Sequence, residues 1–420
     1  MYQKSTLDNG LRVLSAQMPH ARSVSIVMGV ATGARYEPAG VNGVSHFIEH
    51  MLFKGTERRP SPKLISEAIE GVGGIINAET GKEHTMYWAK VAREHLPLAL
   101  DLLSDLLLCS QFAPEEIEKE RRVILEELHM LLDEPHEWVD VLFDQTLWGD
   151  HPLGRDIVGT RETLTQMDRR QIVGFYRQRY DPRATVVSVA GAVEHDAVVD
   201  RVATMMGGWS GEVADDELEP PAELCGPRVL VQPKDTEQAH LCLGVRALSY
   251  RDPERYALNL LNAILGEGMS SRLFLEIRER QGLAYDVHSY TSHFRDAGTA
   301  IIYAGVEPAD LLRTVEALMG ELRRLREPVP DEELRRAREF KKGRLALAME
   351  DTRAIASWIG GQELLHGRPQ TFDEIVEIVD SLTADDLQRV ANRCFSSDRL
   401  ALAVVGPYAE PPPVRDLLAL

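Results

Sequence analysis

Apolar and polar positions along the chain follow two rhythms, one helical and one of period two, and their succession occurs twice. Residues 168–193, DRRQIVGFYRQRYDPRATVVSVAGAV, read as a helix, a short loop and an apolar strand ending in glycine. Residues 384–408, ADDLQRVANRCFSSDRLALAVVGPY, repeat that order at nearly the same spacing. Within residues 74–91 the run HTMYWAKV alternates as a hairpin arm should, and residues 299–306 form a second β-rich run ahead of another long helix. Amphipathic helices are expected at 96–108 and 309–325, followed by charged helices at 115–131 and 331–349. Strands mixed with helical pairs, in an order used twice, predict an α+β protein of two homologous α/β-sandwich domains, a duplicated unit. The period is far too long for a solenoid.

The internal boundary is residues 212–227, EVADDELEPPAELCGP, with six acidic residues, three prolines and no lysine or arginine. Such a stretch buries little and resists regular structure, so it is expected to be an exposed linker. It leaves domains at 1–211 and 228–420, which suits a chain of 420 residues. Lysine and arginine number 47 against 66 acids, a formal charge of −19 that disfavours nucleic-acid binding and would suit basic peptides. Apolar runs such as 186–193 stop far short of the roughly 20 residues of a membrane span, and the N-terminus lacks the marks of a signal peptide. Cys109, Cys225, Cys242 and Cys394 are scattered without a CxxC pair, as expected of incidental thiols in a reducing compartment. A soluble, cytoplasmic protein is therefore expected, with no membrane partner.

Candidate chemistry centres on residues 44–53, VSHFIEHMLF. Apolar Val44, Phe47, Ile48, Met51 and Leu52 mark one buried helical face. His46 and His50, four apart, share a side and can hold one metal together. Glu49 follows His46 by one turn, within reach of a water near that metal. The order HxxEH inverts the common zinc motif HExxH. A catalytic zinc usually takes three protein ligands, so another residue must join. The helix expected at 115–131 offers Glu116, Glu120, Glu126 and Glu127, and spacing alone does not choose among them. His129, His136 and His151 lack partner spacing, and no GxxxxGK[ST] phosphate loop occurs.

HFIEHMLFKGT at 46–56, followed by EKERRVILEEL at 118–128, resembles the insulinase and pitrilysin family of zinc metallopeptidases, the inverzincins. The likeness is greatest to the β-type subunits of mitochondrial processing peptidases and their bacterial relatives. In that family a glutamate about 77 positions after the second histidine is the third ligand, which falls here at Glu127. The resemblance thus implies one Zn²⁺ per chain on His46, His50 and Glu127, with Glu49 as general base and Glu120 supporting a ligand.

The resemblance covers nearly the whole chain. GGIINAET at 73–80, with EHTMY at 83–87, is similar to the family's substrate-pairing edge strand, implying that Asn77, Ala78 and Thr80 bind substrate. In the second half, residues 266–274 and 277–285 resemble a motif whose arginine and tyrosine, seven apart, reach the zinc site. Arg278 and Tyr285 match that pair. The implied protein is a zinc endopeptidase acting on extended peptides or precursor segments. It would form one half of a clamshell chamber, completed as a homodimer or, second, a heterodimer. The competing expectation is a non-catalytic assembly or partner subunit of the same fold.

Overall fold

In the computed structural model, which describes residues 2–211, 218, 220–222 and 226–420, two sheets share one plan. The first contains β1 (Gln3–Thr6), β2 (Arg12–Gln17), β3 (Ser23–Val30), β4 (Ile75–Thr80), β5 (Thr85–Ala92) and β6 (Thr185–Gly191), ordered β1-β2-β6-β3-β5-β4. The second contains β7 (Arg228–Pro233), β8 (Ala239–Ala247), β9 (Ala284–His293), β10 (Gly298–Val306) and β11 (Leu400–Gly406), ordered β7-β11-β8-β10-β9. In each sheet one parallel pair, β2 with β6 and β7 with β11, continues into antiparallel strands. With β1 set aside, the two orders correspond strand for strand, as a duplicated unit requires.

The repeated helix–loop–strand segments take the same form. Helix Arg169–Arg179 starts at a capping box between Asp168 and Gln171 and leads to β6. Helix Ala384–Cys394 starts at a capping box between Thr383 and Asp386 and leads to β11. In both, the cap satisfies amides that the first helical turn leaves without partners.

The compact units are not consecutive stretches of chain. One comprises Met1–His129, Arg155–Leu218 and Ala346–Thr371; the other comprises Met130–Gly154, Glu219–Leu345 and Phe372–Leu420. In the first, Val13, Ile26, Met28, Tyr87 and Ala89 share a core with helices Val44–Leu52, Leu96–Cys109 and Pro114–Asp133. The opposite face, with Leu14, Val27, Trp88 and Val186, packs against Ile355, Ala356 and Ile359 of helix Thr352–His366. In the second unit, helix Pro135–Trp148 brings Val139, Phe143 and Leu147 to Cys242, Ile301, Tyr303 and Ala403. Each sheet is thus covered on one face by a helix from the other half of the sequence.

These covering helices lie close. A Cβ at Gly360 would stand 2.9 Å from Ser188 Cβ, and one at Gly244 would stand 2.8 Å from the Phe143 ring, so glycine permits both approaches. They also explain a departure from the expected alternation. In β5, Met86 and Trp88 are buried like Tyr87 and Ala89, because helix Thr352–His366 covers the face that a half-exposed hairpin would turn to water.

Most of the expected linker at 212–227, with Cys225, lies outside the described residues. Cys109, Cys242 and Cys394 are free thiols. No helix among the described residues is long and apolar enough to cross a membrane. Because Ile359 is fully buried, Ile359→Ala is expected to cost about 2–5 kcal/mol of stability, read from the urea unfolding midpoint.

Candidate metal centre

Helix Val44–Leu52 buries Val44, Phe47, Ile48, Met51 and Leu52 and leaves His46, Glu49 and His50 half-buried. Its start is unusually well held. Gly43 has φ 94°, and a Cβ there would meet Val158 O at 2.4 Å, so glycine is required. The buried Glu37 carboxylate accepts hydrogen bonds from Gly43 N at 2.7 Å, Ser45 N at 2.8 Å and Asn42 Nδ2 at 2.9 Å. Burial raises the Glu37 carboxyl above its ordinary range, while these donors act in the opposite direction.

Helix Pro114–Asp133 buries Ile117, Glu120, Ile124 and Leu128 along one stripe, in the core shared with Phe47, Ile48 and Met51. That packing brings Glu127, one turn beyond Ile124, to the two histidines. His46 Nε2 and His50 Nε2 are 3.2 Å apart, and Glu127 Oε2 lies 3.7 Å from the first and 3.5 Å from the second. Tetrahedral zinc, with bonds of about 2.0–2.2 Å, places its donor atoms roughly 3.3–3.6 Å apart. The three donors therefore fit one such ion. They form the one group of its kind among the described residues. Burial, then the neighbouring His50, lowers the His46 pKa to about 4, which keeps the ring neutral and its lone pair available near pH 7.

The surrounding residues orient these donors. His50 Nδ1 lies 3.1 Å from Glu120 Oε2, and Lys54 Nζ lies 2.8 Å from Glu120 Oε1. Donation from Nδ1–H to Glu120 leaves the Nε2 lone pair facing the other donors. Burial by itself raises the Glu120 carboxyl, but the bonds from His50 and Lys54 outweigh it and leave the group below its usual range. His46 lacks a comparable anchor, since its Nδ1 is buried without a hydrogen-bond partner. Thr80 Oγ1 donates to Glu49 Oε2. Burial raises the Glu49 carboxyl and the Thr80 bond opposes that shift.

The sequence-predicted residues His46, His50, Glu127, Glu49 and Glu120 are thus brought together, with Thr80 on Glu49. Asn77 and Ala78 lie on β4, which among the described residues is an edge strand paired only with β5; Asn77 is exposed and Ala78 packs partly into the core. Arg278 and Tyr285 belong to the second unit, where the guanidinium lies 4.6 Å from the Tyr285 ring centre and 4.8 Å from that of Phe274. The β9–β10 register passes from Ala284↔Val306 to Asp286↔Gly305, so Tyr285 has no cross-strand partner. The bulge turns its ring outward, 77% exposed. Sequence reasoning missed Glu37, for which no spacing rule exists, and Lys54, although the motif HFIEHMLFKGT contains it.

Family models match both parts of the chain: "Insulinase (Peptidase family M16)" over residues 12–161 and "Peptidase M16 inactive domain" over residues 166–340. An uncharacterised zinc protease of Streptomyces coelicolor is 40% identical over 97% of this chain and 90% of its own length. One of Bacillus subtilis is 38% identical over 98% of this chain and 100% of its own. Among solved structures, a protease from Helicobacter pylori matches with a TM-score of 0.91 and 23% identity, covering 97% of this chain and 99% of that one. The chain belongs to the insulinase family, peptidase family M16, and has its two-domain fold. In keeping with the description of its second part, no HxxEH occurs in residues 228–420.

Glu120→Gln keeps the shape beside His50 but removes the charge. It is expected to weaken zinc binding by about 10–100-fold, as measured by chelator competition, with an unchanged circular dichroism spectrum.

Proposed function

We propose that the protein is a zinc-dependent endopeptidase that hydrolyses extended peptides or precursor segments. One observation carries this reading: the donors His46, His50 and Glu127 converge at zinc-ligand spacing while the same short helix holds Glu49 beside them. The relatives named zinc proteases support it, since they match nearly the full chain.

Zinc bound there supplies Lewis acidity, which activates water and polarises a substrate carbonyl. Glu49 accepts the proton of the attacking water and delivers it to the leaving amine as the peptide bond breaks. Glu120 and Lys54 hold His50 in the ligating tautomer. The free edge of β4 offers backbone groups to an extended peptide, with Asn77 on its exposed face and Ala78 toward the core. Arg278 and Tyr285 are proposed to contact substrate, the guanidinium through carbonyl oxygens and the phenol as a donor to developing negative charge. The homodimer remains part of this proposal, on the family resemblance, and sedimentation of the purified protein tests it.

Glu49→Gln is expected to retain one zinc per chain and to lose about 10²–10⁴-fold in turnover of a quenched peptide substrate. Full activity with zinc in place would overturn the assignment. Tyr285→Phe is expected to lower kcat/KM with zinc content unchanged, and equal kcat/KM for variant and wild type would remove Tyr285 from the reaction.

A further inference from the structure

We propose that Thr80 is a positioning residue whose hydroxyl fixes the Glu49 carboxylate in the orientation needed for proton transfer. This deepens the function proposed above and rests on Glu49 acting as base.

The Glu49 side chain turns about several single bonds, and its helix fixes only the first atoms. The Thr80 hydroxyl is its hydrogen-bond partner among the described residues. It engages Oε2 and leaves Oε1 with its acceptor capacity for a water proton. The resemblance alone makes Thr80 a substrate contact. Here the hydroxyl points to the base.

The anchor is itself rigid. Thr80 is β-branched, with restricted χ1, and ends β4 opposite Thr85 of β5. The turn that follows is clasped from outside: Ala34 N donates to Gly81 O at 3.1 Å and Arg35 N to Lys82 O at 2.8 Å. The buried Arg35 guanidinium also meets Glu83 Oε1 at 2.5 Å, and Thr85 Oγ1 donates to Thr32 O at 2.9 Å. The hydroxyl therefore occupies a place set by backbone, so the base is pre-oriented at no further entropic cost during reaction. Because β4 is also the strand proposed to pair with peptide, a bound substrate would stiffen the same anchor. The effect of losing the hydroxyl should accordingly fall on kcat and not on KM.

The test compares Thr80→Val, which keeps the branched shape, with Thr80→Ser, which keeps the hydroxyl, using the zinc-loaded full-length protein and a quenched peptide. Thr80→Val is expected to lose about tenfold in kcat, with KM, zinc content and melting temperature near wild type, while Thr80→Ser stays within about threefold. A wild-type kcat in Thr80→Val overturns the inference. So does a loss confined to KM, or an equal loss in both variants. Where valine lowers the melting temperature, Thr80→Ala supplies the same contrast against serine. Glu49→Gln run alongside separates the two ideas: an active Glu49→Gln defeats the base assignment itself. An inactive one beside a fully active Thr80→Val defeats only the role of Thr80.

Discussion

The buried carboxylate of Glu37 at the start of the histidine helix is the contact on which the rest of the centre depends. That helix has nine residues, too few to be stable alone in water, and its first amides have no partners within it. Glu37 supplies acceptors for two of them and for the Asn42 side chain. Burying a carboxylate is costly, and three hydrogen bonds together with the positive end of the helix offset part of that cost. The segment that ends in Glu37 also receives the turn after β4. One short stretch therefore sets both the direction of the ligand helix and the strand end that meets Glu49.

Charge balance gives the centre its second organising rule. Glu49, Glu120 and Glu127 lie close together, and like charges in a half-buried site repel. Lys54 neutralises Glu120 directly. The repulsion between Glu49 and Glu127 contributes to the raised Glu49 carboxyl. A divalent cation held by His46, His50 and Glu127 would relieve that repulsion.

Much of this arrangement was legible in the sequence because it rests on local periodicity. The positions of His46, Glu49 and His50 on one side of a helix follow from its pitch, and the repeated helix–loop–strand segments revealed the duplication. Glu127 could not be chosen by pitch alone, since Glu116, Glu120 and Glu126 share its helix; packing of Ile117, Ile124 and Leu128 against Phe47 and Ile48 makes the selection. The family resemblance named the same residue. Long-range contacts left no local trace: the acceptor role of Glu37, the ion pair of Lys54 and the burial of β5 on both faces all depend on residues distant in the chain. The covering helices were hidden for the same reason, because nothing within 135–148 or 352–366 indicates which sheet each one covers.

The interchange of covering helices bears on how the protein is made. The first sheet is complete in the growing chain at Gly191, well before helix Thr352–His366 exists. Until then Leu14, Val27, Trp88 and Val186 lack their cover, and the nascent first half carries an open apolar surface. The candidate metal ligands, all upstream of position 130, are therefore synthesised before the helix that covers the opposite face of their sheet. Completion of the first unit therefore waits on helix Thr352–His366, far downstream of the candidate centre that the unit contains.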